Sequence, residues 1–542
     1  MRTFLRAAVA LTVTLWLTTA SVTAFNRQLQ PDASPRTQQP GTKQSSLSDA
    51  SPLKLHVTLK RKSMAIHGQS EFDVFAKPVV SNDKSKVLYD GYATFVEDDT
   101  QFKYILRGGA FYVAESPVKD SSKQTVRCLS AVMPFDSILP ALNAATRIPS
   151  VSIGGETVEC SGALFKTSFG GASFALCASG GDGFTAFSSD MVIDVEYLDK
   201  PVGVEAPALS DKSASCSTVE TATSVTPTAL ALLTGDTIPA STSRNLKAAE
   251  HMALDSSTCE CKSTPRPCIF FHGIGNSKEK PELQDEPCAR MGSIGDHAPC
   301  CTTVKYAWLN TIDYGWNSDV LQQKFCDHAL SMSDTSDQDS TTIGDTIIVT
   351  HSMAGPTMAA ALASGKCKFG KGISWVAMSS PMTGSMTADY AQDVCNDEIG
   401  VVLAEVMDVI GQCPLAKSRQ SLLYEGEKYA SAALNAAYKS ILEAYRSNVT
   451  AAMCSDSYVG VVSVYQSMFL LTGKVVPHKS PKNDGLVEFQ GCAKGLDSSL
   501  FGTSYKDKFY MPQLNHADTA LMTSDGWFKD SQKPFKWFEC LL

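Results

Sequence analysis

The chain has 542 residues, 43% apolar and 19% charged, which is enough apolar material for large cores and too little charge for a wholly disordered polymer. At roughly 100–200 residues per domain it should hold two to four folded units, or fewer with long linkers, and one small module is excluded. Its 47 basic against 56 acidic residues give a net charge of −9, which argues against a nucleic-acid partner, since phosphate binding needs a basic face.

The first 24 residues join a basic start (Arg2, Arg6) to a short apolar run, Ala7 to Leu17, and end on Val22-Thr23-Ala24. That is the layout of a secretory signal cleaved after Ala24, and the run is too short to span a bilayer, which takes ~20 apolar residues. A secreted, extracellular chain is therefore expected. All 17 cysteines lie beyond this segment, scattered and without zinc-ligand spacing, so they read as disulfides with at least one thiol left over. Nothing implies a metal or an organic cofactor. Asn448-Val449-Thr450 is the single N-glycosylation acceptor pattern.

Residues 25–50 are rich in Gln, Ser, Thr and Pro and cannot repay the entropy of ordering, so they read as a disordered leader. From Leu53 the pattern turns to period two: Leu53, Leu55, Val57 and Leu59 alternate with polar residues, as in a half-buried strand. Similar runs at Val87–Glu97, Phe102–Leu106, Phe165–Phe169 and Ile193–Tyr197, broken by paired glycines, predict an antiparallel β domain over 51–200 with one helix near Phe135–Asn143. A sheet with one apolar face can wrap a lipid or rest on a partner, and a plain packing role fits the pattern equally. Residues 201–264 are rich in Ser, Thr, Ala and Pro and read as a linker with a short helix near Leu246–Ala253.

From Pro265 onward, strands alternate with helical stretches, the pattern of a parallel sheet with helices on both faces. The β-branched run Asp345–Val349 leads through Thr350-His351-Ser352-Met353-Ala354-Gly355 into an Ala-rich helix, the strand–turn–helix context of a nucleophile elbow. Thr350 and Ala354 stand where that elbow usually has glycines, and Gly355 follows one place late. Upstream, Ile269-Phe270-Phe271 runs into His272-Gly273-Ile274-Gly275, the type of loop that donates an oxyanion N–H. Downstream, Asp484 follows an expected strand at Val475-Val476, and His516 lies near the C-terminus. In this ordered set, Ser352, Asp484, His516, residues 265–542 resemble the α/β-hydrolase superfamily, in particular its lipases and esterases.

The resemblance implies an α/β-hydrolase fold, mostly parallel sheet with helices on both faces and a helical cap at about 386–474, preceded by a smaller antiparallel β domain. It also implies Ser352 as nucleophile, His516 as general base and acid, and Asp484 as the group that orients the imidazole. The amides of Met353 and of Ile274 or Gly273 would form the oxyanion hole. His351, His272, His478 and Asp518 are the competing titratable groups, the first three read as local or packing residues and Asp518 as too close in sequence to His516. The cap's apolar residues, among them Val401, Val402, Leu403, Val406, Met407, Phe469, Leu470 and Leu471, read mainly as its own core. The expected function is hydrolysis of a carboxylic ester, with an ester or acyl lipid as substrate and transient contact with a lipid or membrane surface. A thioesterase or a glycolipid or protein deacylase would use the same residues, and a catalytically silent binding protein would use the β domain instead.

Overall fold

Alternation from Leu53 onward produces strands that bury one face and return at each glycine turn. The computed structural model describes residues 46–129, 137–178, 181, 183–211, 215–218, 221–238, 250–396, 411 and 413–542. The signal segment, the leader to residue 45, residues 246–249 and residues 399–410 of the expected cap lie outside them, and with them Val401, Val402, Leu403, Val406 and Met407.

Strands β1 (Leu53–Leu59), β2 (Glu71–Val80), β3 (Lys86–Glu97), β4 (Thr100–Arg107), β5 (Ala110–Pro117) and β6 (Thr125–Cys128) form one antiparallel meander. After helix α1 (Ile138–Asn143), β7 (Thr146–Arg147) and the small pair β8 (Val151–Ile153) and β9 (Glu156–Thr157), a second meander follows. It consists of β10 (Ala163–Phe169), β11 (Ala172–Ala178), β12 (Gly183–Phe187) and β13 (Met191–Tyr197). β13 pairs antiparallel with β1, Leu53 opposite Tyr197, and merges the two meanders; β14 (Thr223–Ser224) adds to β3 and completes a twelve-stranded sheet. Val57, Leu59, Phe72, Phe95, Phe174 and Leu176 point to one face and pack with α1 and with helix α2 (Pro227–Thr234).

Helix α2 arises inside the stretch expected to be a linker. Thr226 caps it by accepting from Ala229 N at 3.2 Å, proline fills its first turn, and Gly235 ends it in the left-handed conformation. Val202 and Val204 are buried against the other face of the sheet.

In the C-terminal part, β15 (Met252–Leu254) pairs with β8, and the second large sheet follows. Its strands are β16 (Arg266–Phe271), β17 (Cys301–Ala307), β19 (Ile347–His351), β21 (Ser374–Met378), β22 (Val449–Met453), β23 (Phe501–Gly502) and β24 (Phe509–Tyr510); β18 (Thr342–Ile343) and β20 (Lys368–Phe369) pair separately. The order is 17-16-19-21-22-24-23, with every neighbouring pair parallel. β19 and β21 are buried along their whole length, as strands covered on both faces must be. Helices α3 (Asp319–Leu330), α4 (Ala354–Ala363) and the helix Ala432–Asn448 cover one face, and Pro534–Leu541 covers the other.

These sheets correct the expected fold class, an α/β-hydrolase fold with a smaller antiparallel part in front. The larger sheet is the antiparallel one, twelve strands against seven. Local alternation marks single strands, whereas the β1–β13 pairing that unites two meanders joins segments distant in sequence and leaves no local signature. Two local expectations change as well. The cap expected at about 386–474 contains β22, which lies inside the parallel sheet between β21 and β24, and the strand expected at Val475-Val476 is the end of the helix Gln466–Val475. Among the described residues, no helix is long and apolar enough to cross a membrane.

Ser45–Leu542 form one compact unit, and buried charges tie the two sheets within it. Arg61, just after β1, bonds Glu539 at 2.8 Å and Asp525 at 3.3 Å, while Lys536 lies 2.5 Å from Asp190 and Lys533 pairs with the same carboxylate. Eight disulfides form, Cys128–Cys216, Cys160–Cys177, Cys259–Cys540, Cys261–Cys300, Cys268–Cys301, Cys326–Cys367, Cys395–Cys413 and Cys454–Cys492. Cys288 is the leftover thiol, and it is buried.

Candidate active site

In a parallel sheet, ligands collect beyond the carboxyl ends of the strands where the winding direction reverses. Here that point lies between β16 and β19, because β17 lies on one side of β16 and the later strands extend on the other. The ends of those two strands are Phe271 and His351.

Ser352 follows β19 with φ of +55°, a left-handed conformation that costs a non-glycine residue roughly 1–3 kcal/mol and persists only when neighbours impose it. Its N–H donates to Met378 O at 2.9 Å, and its carbonyl accepts from Gly355 N at 2.9 Å as α4 begins. The off-pattern residues have local reasons. Thr350 Oγ1 accepts from the buried Trp375 Nε1 at 2.9 Å, a bond that glycine could not make. Gly355 is where the close approach falls: a Cβ there would lie 2.1 Å from Ser380 Oγ. The tight contact of this turn thus sits one residue later than the usual pattern places it.

The loop after β16 closes over the serine. A Cβ on Gly273 would meet Ser352 Cβ at 2.7 Å and Oγ at 3.1 Å, so only glycine fits without displacement. His272 Nδ1–H donates to Gly273 O at 2.8 Å and its Nε2 accepts from Leu309 N at 3.2 Å, which defines a neutral tautomer. Burial pushes the His272 pKa down to about 4, so the ring stays uncharged. Among the described residues, neither the Met353 nor the Ile274 amide carries a hydrogen bond, and Ile274 and Ser352 line one cavity of about 40 Å³.

His516 lines the same cavity, from the start of a short helix, His516–Thr519. Asn515 caps that helix by accepting from Ala517 N and Asp518 N, and Asp518 Oδ2 accepts in turn from Asn515 N at 2.9 Å, a reciprocal capping box. Asp484 Oδ2 accepts from His516 Nδ1 at 2.7 Å. Its Oδ1 accepts from Leu486 N at 2.9 Å and Val487 N at 2.8 Å, and its carbonyl accepts from His516 N at 2.9 Å. Burial alone would raise the pKa of this carboxyl, but His516 and the two amides outweigh it and hold the group below the ordinary carboxylate range. Asp484 is therefore an anion, and its contact places a proton of His516 on Nδ1, with Nε2 on the other side of the ring.

The competing groups fall elsewhere. Asp518 spends its oxygens on Val461 N, Asn515 N and Thr523 Oγ1, and burial raises it to about 7. His478 pairs with Glu488 at 3.0 Å. His351 is the surprise. Its ring centroid lies 4.7 Å from that of His516, and burial, followed by repulsion from His516, holds it neutral, well below an ordinary histidine. Thr519 Oγ1 joins it at 3.3 Å to Ser379, whose hydroxyl lies 2.8 Å from the same oxygen. The sequence reading missed this Thr519–Ser379–His351 cluster; the Asn515-to-Asp518 capping spacing was its one legible trace.

No protein-family model matches the chain, and no curated protein matches it. Among solved structures, the Bacillus licheniformis lipase BlEst2 in mature form is 14% identical with a TM-score of 0.31, covering 47% of this chain and 87% of that one. Staphylococcus hyicus lipase is 11% identical with a TM-score of 0.28, covering 51% of this chain and 95% of that one.

Proposed function

We propose that this protein is a serine hydrolase that cleaves a carboxylic ester through a covalent acyl-enzyme. The observation that carries the reading is the 2.7 Å contact between His516 Nδ1 and an ionised Asp484, at a cavity shared with a conformationally constrained Ser352. A serine hydroxyl is a weak nucleophile at neutral pH, and a base with a fixed free lone pair removes that limit.

In this reading, Ser352 Oγ attacks the ester carbonyl carbon and His516 Nε2 takes the hydroxyl proton. The carbonyl π electrons move to oxygen, which the amides of Met353 and Ile274 stabilise, the first at the N-terminal end of α4 where the helix dipole favours negative charge. Collapse of this intermediate expels the alcohol, which leaves with the proton from His516. Water then repeats the sequence on the acyl-Ser352 ester, releasing the acid and restoring the serine. Asp484 stays ionised throughout and stabilises the imidazolium. A neutral His351 adds no positive charge beside that imidazolium. The cavity at Ser352 is small, so ester screening starts with acetyl and butyryl groups and lengthens toward acyl lipids.

The test is labelling by a fluorophosphonate probe of the wild type, a heat-denatured sample and Ser352→Ala. Labelling of the folded wild type alone is expected. A folded wild type that takes no label overturns the reading.

A further inference from the structure

A second cavity lies away from this site. Partly open and about 270 Å³ in volume, it lies between the inner face of the twelve-stranded sheet and helices α1 and α2, and neither Ser352 nor His516 lines it. It is larger than the ~150 Å³ apolar cavity that stays dry in water and accepts benzene. Leu55 and Val57 of β1, Ala93 of β3, Leu176 of β11, Ala186 of β12 and Val195 of β13 give the wall its character. Trp527, Phe528 and Val462 close one end from the C-terminal part; Trp527 stacks on Phe72 at 5.4 Å and Phe528 sits edge-on to Phe169 at 4.6 Å.

The polar groups at this wall are nearly all spent. Tyr104 Oη lies 2.9 Å from His67 Nε2, and Thr167 Oγ1 donates to Ala141 O. Tyr89 Oη on β3 has no partner among the described residues, but it is itself buried and offers the cavity no polar surface. A water needs two to four polar partners, which this wall does not offer among the described residues. A peptide would bring in backbone N–H and C=O groups that nothing could pair. A flexible hydrocarbon matches the apolar wall, with its polar end left at the open side of the cavity.

We infer that this cavity is a binding site for one aliphatic acyl chain, held by its hydrocarbon against the apolar wall. The site is independent of the hydrolytic reading, since its walls contain none of the residues that reading uses. It nonetheless adjoins them: Val462 lines the cavity, and the N–H of the preceding residue, Val461, donates at 3.0 Å to Asp518, two residues from His516.

The experiment is a titration of the full chain with cis-parinaric acid, a fluorescent fatty acid, for the wild type, Ser352→Ala and Ala186→Phe, with folding checked by circular dichroism. Saturable binding of one probe per chain is expected in the first two and at least tenfold weaker binding in Ala186→Phe, which fills the cavity. Displacement by oleate alone assigns free fatty acids as the source of the chain, and displacement also by phosphatidylcholine vesicles assigns lipid acyl chains. Should Ala186→Phe fail to fold, a diazirine fatty acid crosslinked to the wild type replaces it, with adducts expected in 53–57, 89–95 or 139–142. Absence of saturable binding by folded wild type overturns the inference. So does binding that Ser352→Ala abolishes while Ala186→Phe keeps it, or crosslinks confined to the Ser352 cavity.

Discussion

Replacing Asp484 by Asn tests the candidate site at its most constrained point. Oδ1 accepts two backbone N–H groups, from Leu486 and Val487, at 2.9 and 2.8 Å, and only an acceptor can occupy that position. In Asp484→Asn the amide oxygen therefore stays with the backbone and the NH2 group turns to His516. A donor facing Nδ1 forces that nitrogen to accept and moves the imidazole proton to Nε2, the nitrogen that must take the proton of Ser352. The packing barely changes, so the folded state should melt within about 1 kcal/mol of wild type, because the variant retains both backbone bonds. Turnover, in contrast, should fall ~10⁴-fold, as when a triad acid is replaced by its amide, which corresponds to about 5.4 kcal/mol of transition-state stabilisation. The assay is hydrolysis of p-nitrophenyl butyrate at pH 7.5, with fluorophosphonate labelling rates as an independent readout. An Asp484→Asn enzyme within tenfold of wild type would refute the assignment of both Asp484 and the His516 tautomer.

Three further outcomes are expected. Gly273→Ala places a methyl 2.7 Å from Ser352 Cβ, so kcat should drop ~100-fold or more with KM less affected, and unchanged kinetics would show that the loop is not part of the site. Asp190→Asn leaves Lys533 and Lys536 buried against each other without an anion and should cost about 3–5 kcal/mol in urea unfolding, whereas a neutral result would mean that the pair is hydrated. Glu539 is raised by burial but more strongly lowered by His297 and Arg61, to about 2 from 4.5, so its stabilisation is present above about pH 4.5 and lost as pH falls toward 2. Glu539→Gln should flatten that acid limb of stability, and parallel pH profiles for the variant and wild type would contradict the linkage.

Much of the candidate site was legible because its parts are local. The run into Ser352 carries its own strand, turn and helix signals, His272-Gly273 ends an apolar strand, and the chain order of Ser352, Asp484 and His516 narrows the choice of acid and base. The basis for choosing Asp484 was nevertheless faulty: it follows a helix, Gln466–Val475, rather than a strand, and it reaches His516 through a loop held by its own backbone amides. His351 was read as a local packing residue, and its approach to His516 went unseen because the two lie on different elements brought together only by sheet order.

What the sequence determined by itself is whatever depends on near neighbours: alternating strands from Leu53, the elbow at Ser352, the odd cysteine left over among 17, and the cap signals around α2 that composition nonetheless assigned to a linker. Tertiary structure alone decided which strands meet. The β1–β13 pairing turns two meanders into a twelve-stranded sheet, the insertion of β22 places part of the expected cap inside the parallel sheet, and the twelve-stranded sheet forms an apolar cavity with α1 and α2. Those decisions rest on long-range pairing and burial, in which residues more than a hundred positions apart compete for the same edge or face. No periodicity within a single window records the outcome of that competition.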